Sequence, residues 1–305
     1  MKRQYWGMLC SNGAAVGFGC GSTALKMIYA NFGQIPFEDL SLLRSLFCLV
    51  TFLIMTLAKD PKLLKTNWKE LLFFALAGFG GLFIVQYFLL LGLQLIPVGV
   101  CTFTQASSTI MVCLFSFFAF REKISRHKLI GIVVGLVGLA FVVWRKGMFQ
   151  TGDLFLGGIL AALASAVGKT VYLLCGKVAG KKGRRLPLMA YGMVFCAMLG
   201  MPFASEPGQI VAYFADWKVV VFLALYMFFF SAMPYFLTFK AVEMLPASTA
   251  GTLNVLEPVA GAISAFLILG EPLSWNQLVG AAFIIGSVFL IHRDVKTSTS
   301  AAQQE

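Results

Sequence analysis

The second half of this 305-residue chain repeats the first. Pairing each residue with the one 149 positions later brings Pro97 onto Pro246, Phe117 onto Phe266, Glu122 onto Glu271, Ser125 onto Ser274, Leu129 onto Leu278 and Gly131 onto Gly280, with no gap. At an offset of 151, Gly7, Leu9, Ala15, Val16, Gly17 and Lys26 recur as Gly158, Leu160, Ala166, Val167, Gly168 and Lys177. The fold must therefore be built twice. Hydrophobic residues make up 59% of the chain and charged residues 12%. An average soluble domain carries about 25% charged residues, so lipid rather than one soluble core must cover this surface. An odd number of spans per repeat inserts the halves in opposite directions, and inverted repeats point to a transporter built around a central site.

A helical span needs about 20 mainly apolar residues. Ten segments qualify, at roughly 6–28, 37–57, 69–91, 98–119, 126–145, 155–177, 187–205, 217–241, 246–269 and 275–292. The fold class expected is an all-α membrane protein of ten transmembrane helices. They form two inverted five-helix repeats, 1–146 and 152–293, around a central cavity, with a disordered polar tail at 297–305. Trp6, Trp68, Trp144, Trp217 and Trp275 all fall at span ends, where the indole sits among headgroups. Lys2 and Arg3 would suit a signal peptide. The first segment recurs as the sixth, however, which favours a retained helix.

Charge sets orientation. With the N-terminus inside, 18 of the 24 bases lie in cytoplasmic loops, 3 outside (Arg145, Lys146, Lys218) and 3 within spans. This bias puts both termini in the cytoplasm of an inner or plasma membrane. It also makes the net charge of +11 a topology signal rather than a nucleic-acid surface. The seven cysteines lie in spans with no C-x-x-C pair and read as small packing residues.

Each half ends in the same phrase: an apolar helix, a Glu, a Ser, then a Gly-rich helix. The first copy is Phe120-Arg121-Glu122-Lys123-Ile124-Ser125. The second is Leu269-Gly270-Glu271-Pro272-Leu273-Ser274, preceded by Asn254-Val255-Leu256-Glu257-Pro258. Over nearly its whole length the chain resembles the EamA-type branch of the drug/metabolite transporter superfamily. The resemblance implies a cavity lined by helices 1–4 and 6–9, with helices 5 and 10 peripheral. It further implies secondary transport, commonly export of amino acids or other small metabolites. That family often carries a Pro in the fourth helix as well as the ninth; here Ser108-Thr109 stand where Glu257-Pro258 stand in the second half, which predicts an asymmetric ligand shell.

Ionisable residues deep in a membrane need a partner or a water-filled cavity. Glu257 falls near the midplane of the ninth span, and Lys169 somewhat inward of centre in the sixth. Glu257 reads as a cation or proton site, the following Pro freeing a carbonyl in its helix. Lys169 is either its ion-pair partner or a snorkelling base. Arg44 reads as a structural anchor at the outer rim, with attraction of anions as the alternative. Gln105, Ser108 and Thr109 share one helix face, and Asn254 with Glu257 the matching face of the ninth helix. Asn12, Gln86, Tyr172 and Tyr235 are mid-span or near it and complete a candidate substrate-binding set.

Gly168-Lys169-Thr170 is no phosphate loop, because Leu163 stands where the motif requires Gly. No catalytic residue, metal site or cofactor is expected. The partners expected are a small-molecule substrate and the bilayer, with protons as a candidate coupling ion. The Gly13, Gly17, Gly21 stripe should pack within its own repeat, and the Gly131, Gly135 stripe should face lipid or a second protomer as a homodimer contact. The rivals to metabolite export are export of lipophilic cations on Glu257, a membrane-embedded enzyme and a channel. The enzyme lacks a deep His or clustered acids, and the channel lacks a charge ring or filter loop.

Overall fold

A computed structural model describes residues 2–31, 35–96, 98–120, 125–143, 153–254, 256–270 and 275–301. The loop phrase at 121–124, its mate at 271–274, Gln34, Pro97, and residues 144–152 with Arg145 and Lys146 lie outside the described residues. Described residues form helices joined by short connections. In order they are α1 (Lys2–Asn31), α2 (Phe37–Lys59), α3 (Trp68–Leu95), α4 (Val98–Ala106 continued by Ser108–Phe120) and α5 (Arg126–Val143). Then come α6 (Asp153–Lys181), α7 (Arg185–Gly200), a short loop helix (Pro207–Ala212), α8 (Trp217–Met244), α9 (Ala247–Leu253 continued by Leu256–Leu269) and α10 (Trp275–Ala301). The backbone of α10 runs five residues into the segment 297–305 expected to be a disordered tail.

Among the described residues, six of these helices are long and apolar enough to cross a membrane: α2, α3, α6, α7, α8 and the stretch Thr249–Leu269 of α9. Thr104–Phe120, Leu129–Gly138 and Leu278–Ser287 are shorter apolar stretches within α4, α5 and α10. The 30-residue α1 falls outside this set because Ser11, Asn12 and five glycines dilute its apolar content. Phe118, Leu267 and Leu154 are each more than 70% exposed, as lipid-facing side chains would be. Trp6, Trp68, Trp217 and Trp275 are also more than 60% exposed at helix ends.

The repeat is visible in local chemistry. Asn67 accepts a hydrogen bond from the Glu70 N–H at 2.8 Å and caps α3. Asp216, 149 positions later, accepts from the Lys218 N–H at 2.8 Å and caps α8. Both helices then widen into π-helical turns, at Leu76–Phe83 and Phe228–Ala232. Gly183, at φ 67°, turns the chain between α6 and α7, a conformation that favours glycine.

Helix α9 is broken where Pro258 predicts. Pro258 has no N–H to give the Asn254 carbonyl, so the Glu257 N–H takes it at 3.0 Å in a tighter turn. Helix α4 breaks at the matching place without a proline. There the Ser107 N–H reaches the Thr104 carbonyl at 3.2 Å and the Ile110 N–H reaches the Ser107 carbonyl at 3.0 Å. The Ser107-Ser108 pair supplies hydroxyls that compete with helical hydrogen bonding.

Packing runs between repeats. Helix α1 lies against α8 and α9, and its mate α6 against α3 and α4. The remaining large interfaces are α2 with α7, α3 with α7, α4 with α9 and α5 with α10, and all but α3 with α7 join repeat mates. This is the pairing that a pseudo-twofold axis requires. The α1 stripe accordingly packs across the repeats and not inside its own. A Cβ on Gly13 would meet Leu237, on Gly17 Pro234 and on Gly21 Phe230, all of the second repeat. Gly131 and Gly135, expected to face lipid or a second protomer, are buried within the chain on α5, which is occupied by α10.

Gly19 is the closest of these approaches, since a Cβ there would stand 2.3 Å from the Glu257 carbonyl oxygen. Gly19→Val is expected to cost about 1–3 kcal/mol by overpacking. Gly13→Ala, whose Cβ meets only Leu237 at 3.4 Å, should stay within about 0.5 kcal/mol. Thermal unfolding of both variants in detergent checks the contrast.

Candidate functional site

The break in α9 delivers the Glu257 carboxylate to the middle of the bundle, where Lys169 of α6 meets it at 2.6 Å. Both side chains are almost wholly buried. The Lys169 ammonium also lies 3.5 Å from Gln105 Oε1 of α4. Gln105 Nε2 donates to Ser165 Oγ at 2.6 Å, and Ser165 Oγ donates to the Val85 carbonyl of α3 at 3.0 Å. One polar chain thus links α9, α6, α4 and α3. Ser165 sits one helical turn before Lys169, so both face the same way.

This chain forms one wall of a small cavity. Its other walls are Phe18 of α1, Arg44 of α2, Val85, Gln86 and Leu89 of α3, Tyr172 of α6 and Tyr235 of α8. The Tyr235 ring stands edge-on to Phe18 at 5.2 Å and to Tyr172 at 5.9 Å. Helix α7 lies behind, its Met193 and Cys196 sulfurs 3.7 Å from Gln86 Nε2. Arg44 is 4% exposed, and its guanidinium carbon lies 5.8 Å from the centre of the Tyr226 ring.

Of the residues singled out in the sequence, Glu257, Lys169, Gln105, Gln86, Tyr172, Tyr235 and Arg44 share this cavity. Arg44 stands in its wall rather than at an outer rim. Asn12, Ser108 and Asn254 are not among its described lining residues. Asn254 is buried at the α9 break, and its side-chain amide has no hydrogen-bond partner among the described residues. Thr109, next to Ser108, is spent on packing, donating to the Gly251 carbonyl at 3.3 Å.

Sequence reasoning missed Phe18, Val85, Leu89 and Ser165. The apolar three look like any lipid-facing or packed residue. Phe18 carried one signal, since it is the repeat mate of Lys169 at the offset of 151. Likewise Gln86 and Tyr235 are mates at 149, as are Gln105 and Asn254. Position is thus repeated while chemistry is not, as the replacement of Glu257-Pro258 by Ser108-Thr109 predicted.

Both ends of the bundle are tied by charge. At one, Arg184 donates to the Leu63 and Lys65 carbonyls, each at 2.8 Å, and to Glu70 at 2.9 Å, while Arg185 pairs with Glu243. At the other, Asp39 accepts from the Ser205 N–H at 2.7 Å and the Tyr213 hydroxyl at 2.8 Å. Burial, together with the Asp39 carboxylate, pushes the Tyr213 phenol up to about 12, so it stays protonated and donating at neutral pH.

Comparison with known proteins fits this geometry. Residues 5–144 and 156–293 each match the model of the EamA-like transporter family. The threonine/homoserine exporter RhtA of Escherichia coli K12 is 26% identical over 284 residues, covering 90% of this chain and 89% of that one. The uncharacterized transporter YetK of Bacillus subtilis is 25% identical over 262 residues, 84% of this chain and 78% of that one. A crystal structure superposes with a TM-score of 0.69 at 18% identity over 91% of this chain and 94% of its own, a likeness of fold.

A buried charge stripped of its partner costs about 3–5 kcal/mol, whereas removing both partners costs far less. Lys169→Met is therefore expected to destabilise the protein by that amount. Adding Glu257→Gln to the same chain should restore most of it. Thermal unfolding of the single and double variants in detergent gives the comparison.

Proposed function

The chain belongs to the EamA-like transporter family, and on that premise we propose that it is a secondary-active exporter of small metabolites, with amino acids as the substrate class. In this reading ten helices span the inner or plasma membrane as two inverted five-helix repeats, with both termini cytoplasmic and access alternating about the pseudo-twofold axis. The observation that carries it is the buried Lys169–Glu257 pair, set where the two repeats meet and beside a cavity walled by both. The relatives named as threonine/homoserine exporters support the substrate class.

The pair supplies a mechanism. Glu257 holds either Lys169 or something that replaces it, a proton or the ammonium of a substrate. When Glu257 is neutralised or taken by the substrate, Lys169 is left with Gln105 as its polar neighbour. That exchange changes which helices the central charges tie together, and this biases one repeat against the other. Export of a lipophilic cation on Glu257 fits less well, because the cavity already holds two fixed positive charges, Lys169 and Arg44, against one negative.

Glu257→Gln is expected to reach the membrane and to lose most net transport of amino acids in liposomes under a pH gradient. Counterflow exchange, which moves no net proton, should suffer less. The Lys169→Met/Glu257→Gln double variant should regain stability without regaining transport, which separates the two roles. Wild-type rates in Glu257→Gln would reduce the pair to a structural tie. Topology is tested by cysteine labelling, with a cysteine at Lys181 expected to label from the cytoplasm and one at Ser274 from outside. Labelling of the Ser274 position from the cytoplasm alone would refute the inverted arrangement.

A further inference from the structure

Lys169 and Glu257 cancel each other, which leaves Arg44 as the unbalanced charge of the cavity. A guanidinium carries five N–H donors and stays charged at any physiological pH. Sealing it away from water is costly unless it is paired and hydrogen-bonded. Yet among the described residues Arg44 Nε is buried with no hydrogen-bond partner, and no described carboxylate pairs with the group. The acids on its own helix do not serve it. Asp39, five residues earlier, is committed to the Ser205 N–H and the Tyr213 hydroxyl. The ionisable groups around Arg44 are Tyr226, Tyr235, Cys48 and Cys196, types that are ordinarily uncharged at neutral pH. The Tyr226 ring offers its face at 5.8 Å, which steadies a cation but satisfies none of its in-plane donors.

A second buried group in the same wall is unmatched in the opposite sense. Gln86 Oε1 is an acceptor with no partner among the described residues, while its Nε2 rests against two sulfurs, which are weak acceptors. The cavity therefore presents an unsatisfied cationic donor, an unsatisfied neutral acceptor and an exchangeable carboxylate. Between them they match a small molecule with a carboxylate at one end and an ammonium at the other.

We propose that Arg44 is the carboxylate-recognition group of this transporter, so that its substrates are zwitterions held by their carboxylate at Arg44 and by their ammonium at Gln86 and Glu257. This assignment rests on the amino-acid transport reading and sharpens it. It makes the free carboxylate of the substrate a requirement, and it places its reader on the first repeat, opposite the acid of the second.

The test uses the full-length chain purified in detergent. Binding of the twenty common L-amino acids is measured by calorimetry, followed by the carboxamide of whichever binds. The wild-type protein is expected to prefer the acid over its amide by about 10- to 100-fold, the worth of a charge-assisted pair. Arg44→Met should lose that preference and bind the two within about threefold of each other. Arg44→Lys should keep the preference at lower affinity, since it keeps the charge without the planar fork. If wild-type protein takes the amide as well as the acid, or Arg44→Met still prefers the acid in full, the assignment is wrong while amino-acid transport stands. If Arg44→Met does not fold, the wild-type comparison decides alone. If no amino acid is bound, or driven in liposome counterflow, the underlying reading fails and this one with it.

Discussion

The interior of this molecule is organised around an ammonium and a carboxylate held 2.6 Å apart with almost no access to water. Such a pair offers little net stability over an apolar core of the same volume, because desolvating both ions offsets their attraction. What it does impose is position. Glu257 must come from a helix that is broken to deliver it, and Lys169 from a helix close enough to α9 for its stem to reach. Gln105 and Ser165 then have to complete the donor and acceptor count. The α9 break, the α4–α9 contact and the lie of α6 between α3, α4 and α8 all serve that geometry.

Around this centre the backbone is close to symmetric and the chemistry is not. Caps, π turns and helix breaks recur at the same offset, so the two repeats build matching halves of one cavity. The charges are distributed unequally, Arg44 on the first repeat and Lys169 with Glu257 on the second. The α4 break shows that a similar interruption of the helix can arise without a proline. Serines hold there what a proline holds in α9, and without an acid beside them.

Much of this was legible in the sequence because the bilayer leaves few options. Apolar stretches separate cleanly, and a charge within one is rare enough to be conspicuous. Glu257, Lys169, Gln105 and Gln86 were found that way. Three kinds of information were not legible. Spacing along a helix gives depth but not the face turned inward, so Arg44 read as a rim residue. A small-residue stripe announces close approach without saying to which helix, so the partners of α1 and α5 were assigned wrongly. Apolar cavity walls such as Phe18, Val85 and Leu89 are chemically the same as lipid-facing ones, and only the fold sorts them. The π turns left no pattern beyond the glycines of Leu76–Phe83.

Because the repeats pack on each other, the partners of α1 are far away along the chain. Ser11 donates to the Ala250 carbonyl and Thr23 to the Gly261 carbonyl, separations of 239 and 238 residues. At roughly 5–20 residues per second of synthesis, α1 emerges on the order of 10 to 50 s before the helices it will rest on exist. It also carries five glycines, which weaken a helix that stands alone. During biosynthesis the nascent first repeat must therefore be kept from pairing with the wrong surfaces. The ribosome, by setting when α8 and α9 arrive, also sets when the central pair can first form.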